Sequence, residues 1–283
     1  MQVLFDGDVV VYRAGFAAEK MHYYVEDDSG KTHDFSQKRE AMSFIERNAD
    51  LQPRLVASER IVEPVENALY NAKSIITSSL EALGASEKDL VVILSGPTNF
   101  RNGVAVTKPY KGNRDPTHRP VHGPDILEYL HKRYDVSVSE DEEADDLLGY
   151  MQTEVWETDP YGSVICTIDK DLNMIPGLHY NFVSQKSEFV DLNTANLYFY
   201  RQLLTGDTVD NIPGVPGIGP KKALETLPDD VPPSEIFDRV RTLYVQGYAE
   251  QAEARLLEMG RLLWIRRNPG EWWNPPEVEC KAS

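Results

Sequence analysis

Cysteine is almost missing from this chain: Cys166 and Cys280 are the only two in 283 residues. Two cysteines cannot build a disulfide framework, and Cys166 lies inside an apolar run, so a reducing cytoplasmic setting is the simplest expectation. Long apolar runs are missing too. None approaches the roughly 20 residues that a membrane-spanning helix needs. The opening "MQVLFDGDVVVYRAG" lacks a basic segment and carries acids within its apolar stretch, so it does not read as a signal peptide. Basic charge is scarce: 29 Lys and Arg stand against 46 Asp and Glu, a formal net charge of −17. Such an average argues against a nucleic-acid partner, because that binding normally runs on a basic surface. No Cys/His cluster offers a zinc site, and no internal repeat or low-complexity segment stands out.

Three short apolar runs read as buried parallel strands: "QVLF" before Asp6, "DLVVIL" before Ser95 and "SVICTI" before Asp169. Between them, "VENALYNAKSIITSSLEALG" has helical spacing. Ala144, Leu147, Leu148, Met151 and Val155 form one face of another helix. Strands alternating with helices predict an α/β fold with a central, mostly parallel sheet flanked by helices. "MHYYVEDDSGKTHDF" reads as a hairpin over about 20–36, decorating that sheet, with its turn at Asp28-Ser29-Gly30. After about residue 185, helices broken by Pro and Gly take over. The spacing predicts helices in "TANLYFYRQLLTG", in "PKKALETLP" with Pro220 at its first position, and in "QAEARLLEMGRLLWIRR". The expected division is an α/β body over 1–185 and a helical subdomain over 186–283.

Active sites of open α/β sheets gather beyond the carboxyl ends of the strands. Here the first strand runs into Asp6 and Asp8, and the strand around Cys166 runs into Asp169 and Asp171. The stretch "SEDEEADDLL" (Ser139 to Leu148) places Glu143, Asp145 and Asp146 at a helix start, and "TGDTVDN" adds Asp207 and Asp210. A helix dipole favours acids at its start, yet like charges three or four residues apart repel. Several such clusters at one sheet edge call for cations among them. An all-oxygen set suits Mg²⁺ or Mn²⁺.

From Arg101 to His122 the charge reverses: Arg101, Lys108, Lys111, Arg114 and Arg119 face the single acid Asp115. A basic insert over about 101–125 beside a carboxylate cluster suits a polyanionic substrate, and Tyr110 could stack on a base. "GVPGIGPKKALETL" adds Gly214, Gly217 and Gly219 directly before a helix start, with Lys221 and Lys222 at the same spot. Such a turn can present backbone N–H groups to a phosphate without reading sequence.

Taken in order, "DGD", "NFR…YKGNRD", "EADD", "TIDKD" and "GDTVDNIPGVPGIGPKKA" resemble the 5′→3′ exonuclease and flap endonuclease family over about residues 1–225. The likeness is to its short bacteriophage members and to the nuclease domain of bacterial DNA polymerase I. The resemblance implies a PIN/5′-nuclease-like fold and structure-specific hydrolysis near 5′ ends or flaps of duplex DNA. It further implies two bound metal ions, with Asp6, Glu143, Asp145, Asp146, Asp169, Asp171, Asp207 and Asp210 as ligands. Asp145 and Asp169 would be central to catalysis, and Lys111 and Arg114 would act on the scissile phosphate beside Tyr110. Gly214, Gly217, Gly219, Lys221 and Lys222 would belong to a helix–hairpin–helix element at about 195–227 that grips the duplex, with K⁺ at its turn. A monomeric, cytoplasmic enzyme of phage DNA replication, recombination or RNA-primer removal would fit, with replication proteins as partners and no membrane. One position departs: Ser95 stands where the family has a metal-linked Asp, and alternation along an extended run would let Asp8 compensate. The alternatives are a PIN-type or RNase H-like ribonuclease acting on RNA or an RNA–DNA hybrid, and a non-catalytic DNA-junction binder.

Overall fold

The computed structural model describes residues 1–115 and 117–276; Cys280 lies outside them. In chain order the first elements are β1 (Gln2–Asp6), α1 (Gly7–Ala17), β2 (Glu19–Glu26), β3 (Thr32–Phe35), α2 (Lys38–Arg47), β4 (Arg54–Val62) and α3 (Val65–Leu83). Next come β5 (Leu90–Leu94), α4 (Arg101–Val104), α5 (Gly123–Arg133), β6 (Val136–Val138), α6 (Ala144–Trp156), β7 (Ser163–Cys166), β8 (Gly177–Asn181) and β9 (Lys186–Val190). The C-terminal part holds α7 (Leu192–Thr205), β10 (Gly206–Asp207), β11 (Ile212–Pro213), α8 (Pro220–Thr226), α9 (Pro233–Tyr248) and α10 (Ala252–Leu263).

The chain makes two compact units. One comprises Met1–Val9, Ser79–His118 and the chain from Tyr134 onward; the other comprises Val10–Ser78 and Arg119–Arg133. The division expected near residue 185 is therefore not the one the structure makes. One apolar core runs continuously from Leu4, Ile93 and Ile165 in the sheet through Leu148 and Phe199 to Tyr244, Leu256 and Trp273. The C-terminal helices share their core with the sheet instead of closing one of their own.

In the first unit a six-stranded sheet has the order β6-β5-β1-β7-β8-β9. The three strands expected from the apolar runs lie side by side at its centre, all parallel: Val3 pairs with Leu90 and with Val164. Their residues are buried on both faces, as continuous apolar runs require. β8 and β9 extend the sheet, the last pair being antiparallel. Because β1, β5 and β7 point the same way, their carboxyl ends, and the loops that follow, meet at one edge.

The second unit has its own three-stranded antiparallel sheet, β3-β2-β4. The expected hairpin forms: Tyr23 pairs with Phe35, and Asp27 accepts the backbone N–H groups of Ser29 and Lys31 to shape the turn. It is hydrogen-bonded into this unit's own sheet. β4 covers its other edge, and all nine β4 residues remain exposed. The segment 119–122 is tied into this unit: Val121 N–H donates to Glu19 (2.6 Å) and Arg60 donates to the Arg119 carbonyl (3.2 Å).

Candidate active site

The backbone turns from strand to helix immediately after Asp6. Its carboxylate caps α1 by accepting from Val9 N–H (3.1 Å), and Thr167 Oγ1 donates to its other oxygen (2.7 Å). Thr167 also accepts from Asp169 N–H (2.9 Å), so one hydroxyl ties the end of β1 to the loop after β7. Asp171 N–H donates to Asp169, and Gln202 Nε2 on α7 donates to Asp171 (3.1 Å). Thr167 and Gln202 carry no sequence signal of their own, apart from Thr167's place just before "DKD".

The acidic stretch at the start of α6 resolves residue by residue. Glu142 is buried against Arg266 (2.8 Å) and Tyr150 (3.1 Å). Glu143 is the N-cap of α6, closing a capping box with Asp146. Its carboxylate accepts from Tyr110 OH (2.7 Å) and from Lys111 Nζ. Asp146 departs from the expectation of a metal ligand. It is wholly buried, paired through both oxygens with Arg101, and it accepts Arg266 N–H (3.0 Å) and Glu143 N–H (3.1 Å). Four donors leave no lone pair directed at the pocket. Asp145 is the acid of this turn that remains beside Asp6 and Asp169.

Arg101 also differs from expectation. Counted above with the basic insert, it is 2 % exposed and faces inward. It donates to Asp146 and to the carbonyls of Leu262 (2.9 Å) and Trp264 (2.8 Å) at the end of α10. One guanidinium thus lies between a carboxylate and the negative end of a helix.

The following loop is fastened to the 207–211 turn. Lys111 N–H donates to the Asp210 carbonyl (2.9 Å), Asn113 to that of Thr208 (2.7 Å), and Asn211 to that of Pro109 (2.9 Å). Lys111 takes a positive φ of 53° to reach this arrangement. Its ammonium spans Glu143 and Asp210 (3.7 Å to the latter), and Arg114 pairs with Asp210. Tyr110, expected to stack on a base, turns inward instead. Its hydroxyl bridges Glu143 and Asp210 (2.9 Å), and the Lys111 ammonium lies 5.0 Å from its ring centre. Asp207 shapes the turn by accepting Val209 N–H (2.7 Å).

Asp8 and Ser95 also differ from expectation. Asp8 is in the first turn of α1, so strand alternation does not place it. It nevertheless turns to the end of β5, where Ser95 N–H donates to its carboxylate (3.2 Å). Ser95 Oγ accepts Ala144 N–H (2.9 Å) at the start of α6.

The glycine turn follows α7 and the short β10–β11 pair. Gly217, with φ +74°, and Gly219 have open space where a side chain would go, and Pro220 opens α8. Lys221 and Lys222 are exposed there. Gly214, expected to face outward with them, packs against Thr205, whose backbone would lie 2.2 Å from an added Cβ, and its carbonyl accepts Tyr248 OH (2.7 Å).

The pocket's electrostatics follow from this geometry. Burial, opposed by the Thr167 hydrogen bond and reinforced by Asp8 and Asp169, pushes Asp6 up to about 7. Burial with Asp169 and Asp207 nearby pushes Asp171 up to about 7. Asp145 rises well above the ordinary range through burial and then its neighbours Asp6, Asp169 and Glu143. Burial would raise Asp146 as well, but Arg101 outweighs it and holds that carboxyl low. Asp6, Asp145, Asp169, Asp171 and Asp207 have no ion-pair partner among the described residues, and Gln202 Oε1 is buried beside Asp171 without a donor. This surplus of oxygen and negative charge fits a hard divalent cation. Among the described residues no three His, Cys, Asp or Glu side chains close into a coordination shell by themselves. Mg²⁺ does not require one, since it keeps several waters and takes one or two carboxylates.

An α/β sheet with acids at its strand ends and a glycine turn between C-terminal helices defines a class, and comparison with known proteins agrees with it. No protein-family model matches the chain. DNA polymerase I of Bacillus subtilis is 31 % identical over 178 residues, covering 57 % of this chain and 20 % of that protein. Flap endonuclease Xni of Shewanella piezotolerans is 30 % identical over 173 residues, covering 56 % and 64 %. The chain thus spans less than two thirds of each of these relatives. The phage T5 D15 protein, solved with metal ions, superimposes with a TM-score of 0.58 at 15 % identity, covering 93 % of this chain and 88 % of that one. The fold is that of the phage T5 5′-exonuclease, and the resemblance to 5′→3′ exonucleases and flap endonucleases holds.

Proposed function

We propose that this protein is a divalent-metal-dependent 5′→3′ exonuclease and flap endonuclease acting near 5′ ends of duplex DNA. Its main support is a single pocket in which acids from the ends of β1 and β7 and from the start of α6 meet the insert's Lys111 and Arg114. A T5 relative of the same fold has been solved in a pseudo-enzyme–product complex with DNA and metal ions, and that substrate class suits the charge arrangement here. Asp6, Asp145, Asp169 and Asp171, with Glu143, Asp207 and Asp210 around them, would hold two Mg²⁺ or Mn²⁺ ions. Bound divalent ions supply an acidified water and offset charge on a phosphodiester. Lys111 and Arg114, now paired with Glu143 and Asp210, are placed to exchange those partners for a phosphate's oxygens. Tyr110 fixes both carboxylates and serves orientation. Hydrolysis adds water at phosphorus, releases the 3′ oxygen and leaves a 5′ phosphate.

Gly217 and Gly219 present backbone to solvent beside Lys221 and Lys222, a contact for duplex phosphates that carries no sequence information; K⁺ at this turn belongs to the same proposal. No helix among the described residues is long and apolar enough to cross a membrane, and we place the enzyme in the cytoplasm as a monomer serving DNA replication or primer removal. The test is cleavage of end-labelled 5′-flap DNA, blunt duplex, single strand and RNA–DNA hybrid, with Mg²⁺ and with excess EDTA. Asp145→Asn is expected to abolish cleavage while flap-DNA affinity stays within about threefold. Full cleavage in EDTA, or by Asp145→Asn, would refute the proposal, and preference for the hybrid would favour the ribonuclease alternative.

A further inference from the structure

Asp8 is not what caps its own helix. Asp6 already caps α1 through Val9 N–H, and Asp8 forms no ion pair among the described residues. An acid in a first helical turn ordinarily faces water, where the helix dipole favours it. This one turns toward the strand-end pocket, half-buried, and is met by Ser95 N–H at 3.2 and 3.3 Å from its two oxygens. Ser95 is itself fixed, because its Oγ accepts Ala144 N–H, the first amide of the helix that carries Asp145. One serine therefore joins three elements at the pocket's edge: the end of β5, the first turn of α1 and the start of α6.

We infer that Asp8 is a further cation-binding carboxylate of this pocket and that Ser95 is the residue positioning it. The Asp8 carboxylate reaches the end of β5 from α1, across the hydrogen bond from Ser95 N–H. This rests on the proposal that the pocket binds divalent ions. It concerns a position that strand alternation could not place, since the backbone is already helical at Gly7.

The two side-chain positions adjoin, so the charge should be transferable between them. The experiment is Mn²⁺ titration calorimetry on DNA-free protein, with far-UV spectra and unfolding midpoints to confirm each fold. Asp8→Asn is expected to weaken Mn²⁺ binding about tenfold, and Ser95→Ala by less, since it leaves the carboxylate in place. Asp8→Asn combined with Ser95→Asp should recover to within about threefold of the unmodified protein. Asp145→Asn is the internal control. If it loses Mn²⁺ binding while Asp8→Asn titrates like the unmodified protein, the role of Asp8 is overturned and the pocket stands. A double variant no better than Asp8→Asn would overturn the shared position. No Mn²⁺ heat from the unmodified protein would overturn the pocket, and Asp8 with it.

Discussion

Replacing Arg101 by Met removes a buried guanidinium while keeping an unbranched, apolar stem of similar reach. Three acceptors lose it: the Asp146 carboxylate and the carbonyls of Leu262 and Trp264. Asp146 keeps only the N–H groups of Arg266 and Glu143. Removing one partner from a buried ion pair costs about 3–5 kcal/mol, because the other charge stays behind in a poor solvent. At about 2–4 °C per kcal/mol for a chain of this order of size, the melting temperature should fall by about 6–20 °C. The loss should depend on pH with a definite sign. Asp146 is held below its ordinary value in the fold, so its contribution is present above its unfolded pKa of 3.8 and fades as pH falls through the folded one. In Arg101→Met that depression is gone and burial favours the proton, so the gap to the unmodified protein should narrow as pH drops from about 7 toward about 4. Urea unfolding, followed by the fluorescence of Trp264, Trp272 and Trp273, measures it. Adding Asp146→Asn to Arg101→Met should cost less than the sum of the two single changes by about 1–3 kcal/mol. A loss below about 1 kcal/mol, or strict additivity, would show that the pair is not the joint between α6 and the end of α10.

Two further outcomes follow from the pocket and the turn. Asp6 and Asp171, both pushed up to about 7, take up protons on folding, so the stability they lend the metal-free protein is full below about 3.8 and is lost as pH rises through about 7. Mg²⁺ must displace those protons. Its affinity should rise steeply with pH up to about 7 and level off above it, about tenfold per pH unit for each proton displaced, as calorimetric titration would reveal; a flat profile would mean the two acids are not ligands. For Lys222→Ala, duplex affinity by fluorescence anisotropy should fall several-fold, and the slope of log affinity against log salt should become shallower by about one. An unchanged slope would remove this lysine from the DNA contact.

The centre of the fold was legible because β1, β5 and β7 are continuous apolar runs, a pattern that burial on both faces imposes and that survives in the bare sequence. Placing Asp6, Asp145 and Asp169 at one edge needed only the rule that parallel strands end together. What escaped was decided by contacts distant in sequence. "DVVVYRAG" looks extended by its β-branched residues, yet Asp6 caps it into α1 and tertiary packing overrides propensity. α9 begins at a Pro-Pro pair that reads as a break, although Pro suits a first helical position. The charges were the harder part. Arg101 and Lys111 look alike as insert cations, but Asp146 lies 45 residues from the first, and Glu142 lies 124 from its own partner Arg266. Composition cannot say which acids of "SEDEEADD" are neutralised inside the protein and which are left for a ligand. The fold sorts them by their partners: Glu142 and Asp146 become struts, while Asp145, between them in sequence, is buried beside other acids with no ion-pair partner among the described residues. A protein gains no stability from that, which is why Asp145, more than the acidic run as a whole, points to chemistry.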